Sequence, residues 1–138
     1  MPSTPGDRDS TPIARMLAGK RIAVVGLSED PGKPSYYVSQ YMRERGYEVV
    51  PVNPNHATVM GLKCYPTLAD VPGRVDIVNV FRRPEFCAAI AEEAAAARVK
   101  GLWLQAGIRS VEARRIAEEA GMDYVENHCI MVEHMHHV

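Results

Sequence analysis

The chain has 138 residues, 46% of them apolar, and a formal net charge of −1. That length suits one domain with a real core. The charge balance excludes a general attraction to nucleic acid or an anionic membrane, and no apolar run approaches the ~18 residues that span a bilayer. The opening MPSTPGDRDSTP lacks a hydrophobic signal core. The three cysteines, Cys64, Cys87 and Cys129, have no paired spacing. Reduced thiols and a cytoplasmic location are therefore expected.

Residues 1–12 hold three prolines with Gly, Ser, Thr and scattered charges. They cannot bury enough surface to offset the entropy of ordering, so a disordered tail is expected ahead of a single domain over residues 13–138. Ile13 to Leu17 suits a short helical turn before Gly19. Ile22–Val25 reads as a buried strand that breaks at Gly26. A loop rich in Gly, Pro and Ser follows, then a helix with Val38, Tyr41, Met42 and Arg45 on one face and Gly46 at its stop. Glu48–Asn53 (EVVPVN) is a second strand, Asn53-Pro-Asn-His a turn, and Thr67–Val71 a single helical turn. Val75–Phe81 (VDIVNVF) is a third strand. Pro84 starts a helix that carries Phe86, Ile90, Ala94 and Ala97 at helical spacing. Gly101–Gln105 (GLWLQ) is a fourth strand. Ser110 suits an N-cap, and Glu112 falls in the first turn, where the helix dipole favours a carboxylate. Ala113, Ile116, Ala117 and Ala120 form that helix's apolar stripe and Gly121 ends it. Asp123–Glu126 (DYVE) starts a fifth strand.

Short apolar strands alternating with amphipathic helices predict an α/β fold, a parallel five-stranded sheet covered on both faces. This is a Rossmann-like three-layer sandwich, with the strands expected in the order 3-2-1-4-5. Ligands of such sheets lie beyond the carboxyl ends of the strands. The residues to inspect follow: Gly26, Leu27 and Ser28 after the first strand; Val52, Asn53 and Pro54 at the second; Phe81, Arg82 and Arg83 at the third; Gln105, Gly107 and Ile108 at the fourth.

Gly26 allows a tight backbone turn. Ser28 and Ser35 offer hydroxyls, Lys33 a charge, and the helix starting at Pro34 and Ser35 a positive dipole end. The same features also serve as ordinary loop capping. Arg82 and Arg83 suit phosphate, because a guanidinium donates paired hydrogen bonds from a planar fork; as a solvated turn, they would pair with Glu85. A nicotinamide-dependent oxidoreductase remains an alternative. Against it, the chain has no G-x-G-x-x-G and reads Val52-Asn53-Pro54 where a dinucleotide fold places an acid. A receiver domain needs Asp at the ends of strands one and three, which carry Gly26-Leu27-Ser28 and Phe81-Arg82. There is no G-x-S-x-G elbow, no Walker loop and no convincing general base. No catalytic residues are assigned. The tail NHCIMVEHMHHV holds His128, Cys129, Glu133, His134, His136 and His137. Adjacent residues at a chain end do not fix a tetrahedral site, so no dedicated metal site is expected. Cys129 follows strand five and could face the rim.

Taken in order, IAVVGLS, PGKPSYYV, GYEVVPVNPN, YPTLADVP, VDIVNVFRR, GLWLQAGI and HCIMVEH resemble the small stand-alone CoA-binding proteins. These are similar to the N-terminal CoA-binding domain of the succinyl-CoA synthetase alpha subunit. The resemblance covers about residues 13–135. It implies a Rossmann-type fold that binds coenzyme A, or an acyl-CoA, without an established reaction. By position it implies that Gly26, Leu27, Ser28 and the Pro34-Ser35 helix start approach the phosphates. Val52, Asn53 and Pro54 would border the nucleotide. Phe81, Arg82 and Arg83 would give an aromatic wall and charge, and Gln105, Gly107 and Ile108 the next stretch of groove. Two departures stand out: Tyr37, where many relatives carry a basic residue, and Ile130-Met131, where they carry Pro-Lys. The ligase's phosphorylated histidine belongs to another domain, so no ligase activity is carried over. A protein-interaction scaffold without a ligand is the remaining alternative.

Overall fold

The computed structural model describes residues 11–137. The expectation of disorder over residues 1–10 lies outside them. Thr11 and Pro12, counted with that tail in the sequence, belong to the first helix. The Thr11 hydroxyl accepts the Ala14 N–H at 3.1 Å, and Pro12 takes the first helical position of α1 (Pro12–Leu17), where its missing N–H costs nothing.

The chain then runs β1 (Arg21–Val25), α2 (Pro34–Glu44), β2 (Glu48–Val52), β3 (Thr58–Val59), β4 (Leu62–Lys63), a 3-10 turn (Leu68–Asp70), β5 (Ile77–Val80), α3 (Pro84–Ala96), β6 (Gly101–Leu104), α4 (Val111–Glu119), β7 (Asp123–Val125) and α5 (Ile130–His137). Pro34 and Pro84 each open a helix, and the Ser110 hydroxyl caps α4 by accepting the Ala113 N–H. Gly46 and Gly121 follow the ends of α2 and α4 with positive φ, the conformation that stops a helix.

Five strands form one parallel sheet with helices on both sides, as the alternation predicts. The order differs from 3-2-1-4-5. The third long strand, β5, pairs with β1 on the side away from β2, so in chain order the five strands lie 2-1-3-4-5. The reason lies between β2 and β5. That link carries no full helix to take the chain past β2. It carries the hairpin β3–β4 and the 3-10 turn, and Tyr65 fills the outer edge of β2 through a single parallel bridge to Val52. The hairpin is absent from the sequence reading because its turn is Met60-Gly61. Both have positive φ, as a two-residue hairpin requires, but Met60 replaces the usual Asn or Asp.

Strand residues alternate between two cores. Ala23, Val25, Val50, Val52, Val78, Val80, Leu102 and Leu104 face α3 and α4. Ile22, Val24, Val49, Ile77, Trp103 and Val125 face α1, α2 and α5. The buried stripe of α3 is Cys87, Ile90, Ala91 and Ala94; it includes the predicted Ile90 and Ala94, whereas Phe86 is only partly buried and Ala97, at the C-cap, is exposed. On α2, Ser35, Val38, Ser39 and Met42 are buried, and the small serines bring the helix close to the sheet.

The tail forms a helix that carries one structural histidine. His134 is buried, its Nδ1 2.9 Å from the Tyr41 hydroxyl and its ring edge-on to Tyr41 and Tyr47. Burial, then the Arg45 charge, lowers its pKa. Among the described residues no group of three or more His, Cys, Asp or Glu could hold a metal ion, and no helix is long and apolar enough to cross a membrane.

At the amino end of the sheet, one Asp76 oxygen accepts the N–H groups of Lys20 and Arg21 at 2.9 and 3.0 Å, and Lys100 lies 3.8 Å away. Burial alone would raise this carboxyl, but the two N–H groups and the nearby charges outweigh it and lower its pKa. Its stabilisation is therefore present above the ordinary carboxylate range and lost as pH falls through the depressed pKa. Asp76→Ala should cost about 1.5–3 kcal/mol at neutral pH. In denaturant titrations the difference from the parent should shrink below about pH 4.

Candidate functional site

All five parallel strands end on one rim. β1 stops there because Gly26 turns with φ +89 while its N–H still bonds the Val52 carbonyl at 3.0 Å. A Cβ at Gly26 would lie 2.7 Å from the Phe81 carbonyl oxygen and 3.0 Å from Arg82 Cδ. The ends of β1, β2 and β5 are thus held closer than any side chain at this position would permit.

The loop from Gly26 to α2 is largely closed on itself. Leu27 is fully buried in the core. The Ser28 N–H donates to the buried Ser35 hydroxyl at 3.0 Å. The Asp30 N–H donates to the Ser28 hydroxyl, and the Gly32 N–H to the Asp30 carboxylate. Tyr36 and Tyr37 both donate to the Lys33 carbonyl, and Pro34 has no N–H. The start of α2 therefore offers fewer free amides than its position suggests. The two serine hydroxyls each accept one N–H and keep their own proton to donate. Lys33 is the exposed N-cap, without a side-chain capping bond.

Asn53 ties two rim loops together. Its amide nitrogen donates to the Leu27 carbonyl at 3.2 Å, and its oxygen accepts the Asn55 N–H. Gln105, read as a groove residue, is buried. It donates to Asn79 Oδ1 and accepts the Ile130 N–H at 3.4 Å. Asn79, a buried polar residue in the middle of an apolar strand, is the partner of Gln105 that the sequence reading passed over. Ile130, one of the two departures from the CoA-binding pattern, is fully buried and needs an apolar side chain; Tyr37, the other, is exposed. Gly107, with φ +86, donates to Asn127 Oδ1 at 2.7 Å, and Asn127 donates to the Ile108 carbonyl. The loops after β6 and β7 are locked to one another.

Val25, Val52, Leu68 and Ile90 floor a cleft of about 200 Å³ at the ends of β1 and β2, edged by Pro54, Pro66, Thr67, Arg82 and Glu93. The two arginines part here. Arg82 is half-buried, lines the cleft and lays its guanidinium 4.3 Å over the Phe86 ring. It has no ion-pair partner among the described residues. Arg83 is 74% exposed and lies 3.8 Å from Glu85. Phe81 is partly buried against the core rather than forming an open wall. Pro66, Thr67 and Glu93 come from segments that the sequence reading did not bring to the rim. Cys129 is half-buried just before α5, next to His128, whose N–H reaches the Leu104 carbonyl. Cys64 and Cys87 are buried; burial pushes the Cys87 thiol up to about 11.

Gly26→Ala must meet both the positive φ and the Phe81 carbonyl. The backbone strain alone is about 1–3 kcal/mol, and the clash adds to it. Thermal denaturation should show a loss of at least that size, exceeding that of Gly107→Ala, which shares the positive φ and its strain but has nothing within 4 Å of the added carbon.

Comparison with known proteins matches residues 20–135 to the CoA binding domain family. The chain is 42% identical over 115 residues to the uncharacterized protein YneT of Bacillus subtilis, covering 83% of this chain and 85% of that one. It is 30% identical over 126 residues to the acetate–CoA ligase (ADP-forming) II alpha subunit of Pyrococcus furiosus, where it spans only 28% of the subunit. A solved structure from Thermus thermophilus, cell-free ID.343, superposes with a TM-score of 0.84 at 40% identity, covering 89% and 93% of the two chains. With its fold, its length and its sequence matched together, the chain belongs to the CoA-binding domain family.

Proposed function

We propose that the protein binds coenzyme A along the carboxyl rim of its sheet and performs no reaction of its own on it. One observation carries this beyond family membership. Arg82, half-buried, stacked on Phe86 and without an ion-pair partner among the described residues, stands at the edge of an apolar-floored cleft beside the glycine turn of β1. An apolar floor with a cation at its lip suits a flat heteroaromatic base joined to phosphate. In this reading the adenine enters between Val52-Asn53-Pro54 and Arg82. The Ser28 hydroxyl, Lys33 and Arg82 supply donors to the phosphates. Leu27, Asn53, Phe81, Gln105, Gly107 and Ile108 shape the rim through backbone and packing. The end of β2 reads Val52-Asn53-Pro54, without the acid that holds the ribose hydroxyls in an NAD fold, which favours coenzyme A over NAD in this reading; the Glu93 carboxylate stands across the cleft from Arg82.

Titration calorimetry with CoA, dephospho-CoA and NAD tests the reading. A hydrogen bond to a charged group contributes about 1.5–3 kcal/mol. Loss of the 3′-phosphate should therefore weaken binding roughly ten- to a hundredfold, less at high salt. Arg82→Ala should weaken CoA by a similar factor, and Arg83→Ala by only a few-fold. Both variants should melt near the parent temperature, since substitutions outside the core usually cost under about 0.5 kcal/mol. Equal affinity for CoA and dephospho-CoA would remove the proposed phosphate contact, and tighter binding of NAD would overturn the function.

A further inference from the structure

We infer that the preferred ligand is an acyl-CoA carrying a short apolar acyl group, and that this group lies in the cleft between the start of α1 and the end of β7. The inference rests on the CoA reading above and adds the acyl site to it.

The cleft has a volume of about 280 Å³ and is lined by Thr11, Pro12, Ile13, Arg114, Tyr124, Val125, Glu126 and His128. Its wall is mainly apolar. The polar groups that line it are engaged with one another or with neighbours: the Tyr124 hydroxyl bonds Glu126 Oε1 at 2.8 Å and the Ser110 carbonyl at 3.1 Å, His128 Nδ1 lies 2.7 Å from the Glu126 carbonyl, Arg114 pairs with Glu118 at 3.5 Å, and the Thr11 hydroxyl caps α1. Such a surface has little to offer a polar ligand and much to offer methylenes.

Two arguments connect it to the rim. The first is length. From β1 to β7 the sheet crosses three strand spacings, ~14 Å at ~4.8 Å each. The pantetheine arm of CoA is peptide-like and reaches about as far as four extended residues, ~14 Å. With the phosphates at the loop after β1 and the arm laid across the strand ends, the thiol arrives over β7. The second is continuity. His128 has its backbone on the rim, with its N–H toward the Leu104 carbonyl at 3.5 Å and its carbonyl accepting the Trp103 indole N–H at 2.8 Å. The same residue lines the cleft. A group attached to the thiol therefore emerges at the cleft mouth. An apolar cavity of ~150 Å³ holds a benzene, so an open cleft of this size accommodates about four to eight carbons.

The test is a chain-length series on the intact protein. Calorimetry compares free CoA with acetyl-, butyryl-, hexanoyl- and octanoyl-CoA at concentrations where none forms micelles. Each two-carbon step from acetyl to hexanoyl should tighten binding roughly three- to tenfold, then level off. Ile13→Glu places a carboxylate in the cleft; the ratio of hexanoyl-CoA to CoA affinity within that variant should fall towards one. Its melting curve checks that it folds, and the parent series stands without it. CoA binding with no dependence on chain length would overturn the acyl site and leave the CoA reading intact. Absence of binding by every ligand would overturn both. Chain-length dependence that persists in a folded Ile13→Glu would place the acyl group elsewhere and defeat the inference. Dependence that appears only once residues 1–10 are removed would mean that the chain's own first residues hold the cleft, which defeats it for the full chain.

Discussion

The site depends on a position that cannot carry a side chain. At Gly26 the backbone of β1 passes so close to the end of β5 that a single carbon would strike the Phe81 carbonyl. The Gly26 N–H meanwhile remains on Val52, at the end of β2. Three strand ends are thereby gathered into one place, and the chain leaves β1 sharply enough for Leu27 to return into the core. The loop above it is then set by its own hydrogen bonds, from Ser28 to Ser35 and through Asp30 to Gly32. Asn53 joins this loop to the end of β2 through the Leu27 carbonyl. The rim is thus preorganised by backbone geometry, which lowers the ordering cost of any ligand that fits it.

The far half of the rim is held differently. Asn79 and Gln105 sit buried side by side in β5 and just beyond β6, and Gln105 also receives the first N–H of α5. A buried amide without partners costs about 1–3 kcal/mol, so this pair favours a single placement of the α5 start. The indole of Trp103 fixes His128, two residues before Ile130, in the same way. The lower end of α5 is seated by His134 against Tyr41 and Tyr47. Between them, these contacts anchor the segment carrying His128 and Cys129 to the sheet rather than leaving it a chain end.

The sequence made the repeating units legible because each carries two signals at once. Strands β1, β5 and β6 are short apolar runs, and α2 and α3 begin at Pro34 and Pro84, where proline's missing N–H is harmless. Strand order was not legible. It depends on whether the link after β2 contains a helix, and YPTLADVP supplies only one 3-10 turn. The hairpin was hidden by Met60 at a positive φ. At the rim, Gly26 and the arginine pair were visible, but sequence could not separate Arg82 from Arg83. Only packing on Phe86 and the neighbourhood of Glu85 does that. Asn53 and Gln105 occupy the expected places and act chiefly as internal ties. Polar residues at strand ends look alike in a sequence whether they face a ligand or a neighbouring loop.

Charge at this rim is local and mixed. Lys33 and Arg82 stand there with Asp30 in the first loop and Glu93 across the cleft, and the whole chain has a formal charge of −1. A field of that kind does not draw anions from a distance, since like and unlike charges cancel within about a Debye length, ~8–10 Å. Discrimination must come from contact. Arg82 is suited to that because stacking on Phe86 fixes its planar fork before a ligand arrives, so less rotamer freedom is lost per hydrogen bond made. Lys33, exposed on a flexible stem, loses more. Glu93 would oppose bulk negative charge in the cleft, so in the proposed reading an anion sits where Arg82 reaches it directly. The apolar floor of Val25, Val52, Leu68 and Ile90 would suit an anion that carries a flat, apolar-faced group, as the proposed ligand does. A free phosphate satisfies the cations alone and an adenine the floor alone; a nucleotide phosphate satisfies both.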